Sequence, residues 1–225
     1  MITRLTFNGA RTIAFGGASF GNVGRFEKIH GCAFGELDPA SPFNAVITDI
    51  SLAPRNAHGT VEYRVDFYIL RPVDPSRGNK VMVFDITNRG NKMTYLPLSF
   101  PFRAPGLYLP NNDPCGPDDA GTGLLMRQGN TMVWTGWDAT APPGGGRMTL
   151  TVPIAEINGK AIVAPALEEI MADMPQNPSP TAEMLKWPLT YPAATMDKSE
   201  ATLTVRKYRE DPPTVVPAGQ WEYIE

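Results

Sequence analysis

Hydrophobic and polar positions alternate most regularly in TVEYRVDFYILRP, residues 60 to 72. Val61, Tyr63, Val65, Phe67 and Ile69 fall on one face, and Glu62, Arg64, Asp66 and Tyr68 on the other. A period of two is the signature of a half-buried strand. Runs rich in β-branched residues predict further strands at 44–52 (NAVITDISL), 80–87 (KVMVFDIT), 130–137 (NTMVWTGW), 147–154 (RMTLTVPI) and 201–208 (ATLTVRKY). In EINGKAIV, 156–163, Asn158-Gly159 sits between apolar flanks and predicts a hairpin with a two-residue turn. Helical patterning is confined to GTGLLMRQG at 121–129 and PALEEIMADM at 165–174.

Proline changes this picture by breaking the chain into short pieces. The 23 prolines and 21 glycines favour strands and turns over long helices. Residues 97–120 hold Pro97, Pro101, Pro105, Pro110, Pro114 and Pro117, a density that neither a helix nor a central strand accepts, so a long loop is expected there. The expected fold is mainly β, with largely antiparallel, sandwich-like sheets. An incomplete α/β sheet at 80–137 is also expected. The run APPGGGR at 141–147 divides the chain into a β-rich region, 1–146, and a second β-rich segment, 147–225.

With 42% hydrophobic and 19% charged residues, 225 residues can build a core. The net charge of -3 gives no electrostatic reason to expect nucleic acid, and no basic run marks a membrane surface. No apolar run approaches the roughly 18 residues of a membrane helix, and the first residues lack a signal-peptide pattern. Cys32 and Cys115 set no disulfide framework, so a reduced, cytoplasmic setting is expected. Two histidines and two cysteines do not compose a zinc site, and PPGGGR lacks the Gly-Lys-Ser/Thr end of a phosphate loop. No metal and no cofactor is expected.

Candidate chemistry begins with GGASFGNVG, 16–24, where Gly17-Ala18-Ser19-Phe20-Gly21 spells the G-x-S-x-G of a nucleophile elbow. An elbow needs a strand, a sharp turn and then a supporting helix. Here Gly21, Gly24 and Gly31 leave only RFEKIH uninterrupted, which is too short for that helix. His30 lies eleven residues on and His58 sits in a turn-like stretch, so Ser19 reads as part of a glycine-rich turn. Asp49, Asp66 and Asp85 lie in apolar stretches; a buried pair could do acid–base work, and the plainer expectation is that they face solvent or bond to turns. Trp134 and Trp137, three apart on a strand, point to opposite faces, so at most one lines a given sugar-stacking platform.

Residues 80–137 read as strand, glycine-containing turn, long loop, short helix and second strand, as many α/β-hydrolase sheets begin. There the turn after the first strand supplies an oxyanion-hole N–H. On that reading Asn88, Arg89 and Gly90 form the oxyanion turn; the alternative is an ordinary tight turn.

AFGGASFGNVGRFEKIHGCAFGELDPASPFNAVITDISLAPRNAHGTVEYRVDFYILRPVD, DITNRGNK, GLLMRQGNTMVWTGWDA, LTVPIA and ATLTVRKYREDP occur in that order. In them the chain resembles the amino-terminal half of the large bacterial and fungal alpha/beta hydrolase domain-containing proteins. The resemblance implies that GGASFG is an amino-terminal turn motif, and that the nucleophile serine and catalytic histidine of such proteins lie beyond the point matching PAGQWEYIE. It also implies an esterase-like hydrolase portion, incomplete alone, acting on a small-molecule ester once completed by a carboxy-terminal catalytic part. The alternative is a self-sufficient β-sandwich-like module that binds a carbohydrate or a protein.

Overall fold

The computed structural model describes residues 1–92, 112–142, 144–170 and 189–224. The chain is mainly strand, and its centre is one seven-stranded sheet. The strands are β1 (Ile2–Phe7), β2 (Thr12–Ile13), β3 (Phe26–Leu37), β4 (Val61–Pro72), β5 (Met82–Ile86), β6 (Thr131–Thr135) and β7 (Leu150–Thr151). The main order is β1-β3-β4-β6-β5, with β2 against β3 and β7 against β4. Every pairing is antiparallel except β5 with β6, which run parallel. A parallel pair cannot be closed by a tight hairpin and needs a crossover, here residues 87–130. That crossover ends in the one-turn helix α1 (Leu124–Arg127).

β3 and β4 pair along their full length, from Phe26 opposite Pro72 to Leu37 opposite Val61. β3 breaks the sequence rule for strands, since glycine and polar residues interrupt it. Gly31 explains why: a Cβ there would stand 1.9 Å from the Thr6 carbonyl oxygen of β1. Only a residue without a side chain lets β1 approach this closely.

Which face is the core also differs from the expected one. In register, Tyr68 lies opposite both His30 and Trp134, and Leu70 opposite Lys28 and Met132. Tyr68, Leu70, Met132 and Trp134 are buried, together with Phe15, Phe20, Phe26, Met126 and Met148. Three rings meet edge-on, Phe15 with Phe20 at 5.3 Å and Phe20 with Phe26 at 5.6 Å. The parity that reads as polar at Glu62, Arg64 and Asp66 thus becomes the core side at Tyr68, because the 14–23 and 120–126 segments cover that end of the sheet.

The stretch 44–52, expected as a strand, is a chain of tight turns. Ala45 N–H donates to Pro42, Ile47 to Asn44 and Leu52 to Asp49, while Asp49 itself sits at φ 56°. These local bonds satisfy the backbone, and of the apolar residues here only Ile50 is buried. The hairpin at 156–163 forms as expected: β8 (Glu156–Ile157) pairs with β9 (Lys160–Ala161), and Asn158 and Gly159 both take positive φ. The expected strand at 147–154 is reduced to β7. Residues 165–170 carry no regular structure; 171–174 of that expected helix and 97–111 of the expected loop lie outside the described residues.

The chain divides into two compact units, Met1–Ile162 and Val163–Glu225. The division falls beyond the glycine run at 141–147, because β7 joins β4 and ties the residues after it to the first unit. In the second unit β10 (Thr204–Val205) pairs with β11 (Thr214–Val215). There Lys198 Nζ also donates to the carbonyl oxygens of Ala218 and Trp221 at 2.6 and 3.1 Å. Among the described residues no helix is long and apolar enough to cross a membrane.

Candidate functional site: a tight turn beside a charged cleft

β5 ends at Ile86, and the next residue pins the strand end to β6: buried Thr87 donates its hydroxyl to the Thr135 carbonyl at 3.1 Å. The chain then reverses. Asn88 N–H donates to the Asn91 oxygen at 2.8 Å and Asn91 N–H returns the bond at 2.9 Å. Arg89 and Gly90, between them, have φ of 47° and 83°, so this is a two-residue turn of the mirror-image kind. The three residues expected to share an oxyanion turn therefore do share one turn. Among the described residues the amides of Arg89 and Gly90 meet no backbone acceptor.

Gly90 also packs tightly. Its carbonyl accepts from Met148 N–H at 2.9 Å, and a Cβ would lie 2.7 Å from the Met148 oxygen. Replacing it with alanine combines a left-handed strain with a backbone clash. Gly90→Ala is expected to destabilise the first unit by about 1–3 kcal/mol, read as a lower urea midpoint. An unchanged midpoint would contradict this packing.

Two residues past the turn stands Lys92, only 1% exposed. Its amide donates to Asn112 Oδ1 at 2.9 Å and its Nζ to the Asn112 carbonyl at 2.7 Å. The Nζ also lies 4.2 Å from the centre of the Tyr68 ring, and 3.4 Å from the Gly146 carbonyl oxygen. Burial pushes this ammonium down to about 8; Asp113 and Asp66 pull it upward and Lys28 adds to the fall. The Asn112 side-chain amide holds the surrounding loops, donating to Asn91 Oδ1 at 2.9 Å and the Gly145 carbonyl at 2.8 Å.

A second lysine nearby is also buried. Lys28 Nζ donates to Asp113 Oδ1 at 2.7 Å and stands 3.6 Å from Cys115 Sγ. The Tyr68 hydroxyl donates to the same carboxylate oxygen at 3.0 Å. Burial works to raise the Asp113 pKa, but bonding to Lys28, the charge of Lys28 and the Tyr68 hydroxyl outweigh it and hold the carboxyl below its ordinary range. His30 stacks on Tyr68 with ring centres 5.8 Å apart. On β4, Arg64 bonds Asp66 at 3.0 Å and Cys32 Sγ at 2.8 Å, and Asp66 accepts from Thr149 N–H at 2.9 Å. Of these groups His30, Arg64, Asp66, Tyr68 and Asp113 line a cleft of about 360 Å³, together with Lys92 and Met148.

The other candidates are dispersed. Ser19 is exposed between two single-turn helices, Phe15–Gly17 and Gly21–Val23, and strand β3 stands where an elbow would place its helix. His58 lies in an exposed turn. Asp49 is exposed in a turn, and Asp85 accepts from Trp134 Nε1 at 2.7 Å. Of the two tryptophans, Trp134 is fully buried and Trp137 is about half exposed. Among the described residues no group of His, Cys, Asp and Glu could hold a metal.

The Lys28–Asp113–Tyr68–Lys92 network was not legible in the sequence. Arg-Gly-Asn-Lys occurs twice, yet Lys80 of the first copy is exposed and Lys92 of the second is buried. No family model, no curated protein and no solved structure matches this chain.

Proposed function

We propose that this chain is the amino-terminal portion of an esterase-like serine hydrolase of the alpha/beta hydrolase kind, catalytically incomplete on its own. It supplies the leading strands of the sheet and an oxyanion turn at Asn88, Arg89 and Gly90. A small-molecule ester is the substrate once a catalytic part completes the sheet along β5. When a serine attacks the ester carbonyl, negative charge collects on its oxygen, and the two amides of the turn donate to it.

The observation that carries this reading is the state of β5. Among the described residues it is the last strand in the order, parallel to β6, with the turn at its end. Met82, Phe84 and Ile86, on one face of it, are 63%, 50% and 66% exposed. An open strand edge beside an apolar face is a liability that proteins ordinarily cover. A further strand with its own packed helix would cover both.

The chain alone is therefore expected to self-associate in sedimentation velocity and to bind an apolar-surface dye such as anilinonaphthalene sulfonate. Phe84→Lys should reduce both with an unchanged far-ultraviolet spectrum, since that side chain is half exposed. A monodisperse chain that ignores the dye would contradict this and support the self-sufficient binding module instead.

A further inference from the structure

The cleft beside Lys92 has charges and walls of its own, and they do not depend on the hydrolase reading. We propose that it is a binding site for a small organic monocarboxylate, held by the Lys92 ammonium and the Arg147 guanidinium, with its apolar body against Tyr68 and Met148.

The charge balance of the cleft supports this. Among the described residues that line it, Arg64, Lys92 and Arg147 stand against Asp66 and Asp113, an excess of one positive charge. Both carboxylates are already engaged. Asp66 is bonded by Arg64 and by Thr149 N–H. Asp113 is bonded by Lys28, which does not line the cleft, and by the Tyr68 hydroxyl. The cations that remain are Lys92 and Arg147: among the described residues neither has a carboxylate within ion-pair distance. An ammonium carries three donors. One goes to Asn112 at 2.7 Å, the Gly146 carbonyl at 3.4 Å is a long second partner and the Tyr68 ring lies 4.2 Å away, so a carboxylate entering the cleft takes the place of the long Gly146 contact. A desolvated cation of this kind gains most from a charge-assisted bond to an anion.

The class of anion follows from the same residues. A dianion such as phosphate overcompensates one excess charge and meets repulsion from Asp66 and Asp113, whereas a monocarboxylate neutralises it. Tyr68 and Met148 line the cleft with only 5% and 4% of their surface exposed, a small apolar contact that an inorganic anion does not use. A volume near 360 Å³ suits a small aromatic or branched acid.

A pH dependence follows from the titration of Lys92. The groups around it are Lys28 and His30 from β3, Arg64, Asp66 and Tyr68 from β4, Asp113, and Arg147. With Lys92 titrating near 8, the charged form prevails below that pH and fades above it. Carboxylate affinity is therefore expected to fall roughly tenfold between pH 7 and pH 9, in step with the protonated fraction.

The test is isothermal titration of the whole chain with benzoate, its neutral isostere benzamide, and inorganic phosphate. The expected result is one benzoate per chain, with benzamide and the Lys92→Met variant each at least about tenfold weaker. Arg147→Gln, at a half-buried position, should weaken benzoate several-fold while keeping the fold, and it carries the test if Lys92→Met does not fold. No heat with benzoate, benzamide equal to benzoate, indifference to Arg147→Gln, or phosphate binding more tightly than benzoate would each overturn the proposal.

Discussion

Trp134→Ala is expected to cost the first unit about 3–5 kcal/mol, the range for removing a large buried aromatic. The indole is fully buried at the centre of the core cluster. It meets the Tyr68 ring edge-on at 5.8 Å and donates from Nε1 to Asp85 at 2.7 Å. Truncation removes all three at once: apolar burial, a ring contact worth about 0.5–1.5 kcal/mol beyond its area, and the bond that ties β6 to β5. Domains hold about 5–15 kcal/mol in total, so a loss of this size removes roughly a third to a half of a mid-range stability. Urea titration followed by far-ultraviolet circular dichroism measures it. Trp134→Phe, which keeps a ring and loses the donor, should fall between the two. A loss under about 1 kcal/mol for the alanine variant would mean that Trp134 is not the centre of the core.

The second large effect is a rise of stability with pH. The Lys92 ammonium has an ordinary value of 10.5 and is pushed down to about 8 by burial. Between those values the unfolded chain holds this proton and the folded chain has released it. The unfolded state then binds more protons, so folding stability rises as pH rises through that window. Carried across the whole interval the effect is worth about 3 kcal/mol, at about 1.4 per pH unit. Other groups titrate over the same range, so the informative quantity is a difference. Stability of the wild type relative to Lys92→Met should shift in favour of the wild type by about 2–3 kcal/mol from pH 7 to pH 10. A flat difference would place Lys92 in a solvated setting, and would remove its supporting role in the carboxylate site as well.

These two residues also show how unevenly the sequence discloses the structure. The strand at 60–72 was legible because one element repeats a period of two over its whole length, and Asn158-Gly159 because so few residues take positive φ in succession. β3 was not, because the glycines and charged residues that interrupt its pattern are the ones its neighbours require. Gly31 admits β1, while Lys28 and Glu27 are buried with ionic partners, Asp113 and Arg71. The reverse error arose at 44–52. Its β-branched residues suit a strand, but among the described residues no strand pairs with them and tight turns bond the backbone instead. Strand composition describes a surface that has to be matched by another.

The site divides the same way. Asn88, Arg89 and Gly90 could be read as a turn, since their residue types favour one locally. The lysines could not, because Lys80 and Lys92 share one tetrapeptide and differ only in what folds over them. That Tyr68 joins the core side of β4 depends on coverage by residues 14–23 and 120–126, which no window around Tyr68 contains.

On the proposed function β5 is the growing edge of a hydrolase sheet and the Asn88–Asn91 turn serves a serine elsewhere. The most direct measurement is to read the source DNA downstream of the codon for Glu225. The expected result is an open frame that continues into an apolar strand, a serine-centred turn, a helix and a later histidine. A stop codon directly after Glu225 would contradict it.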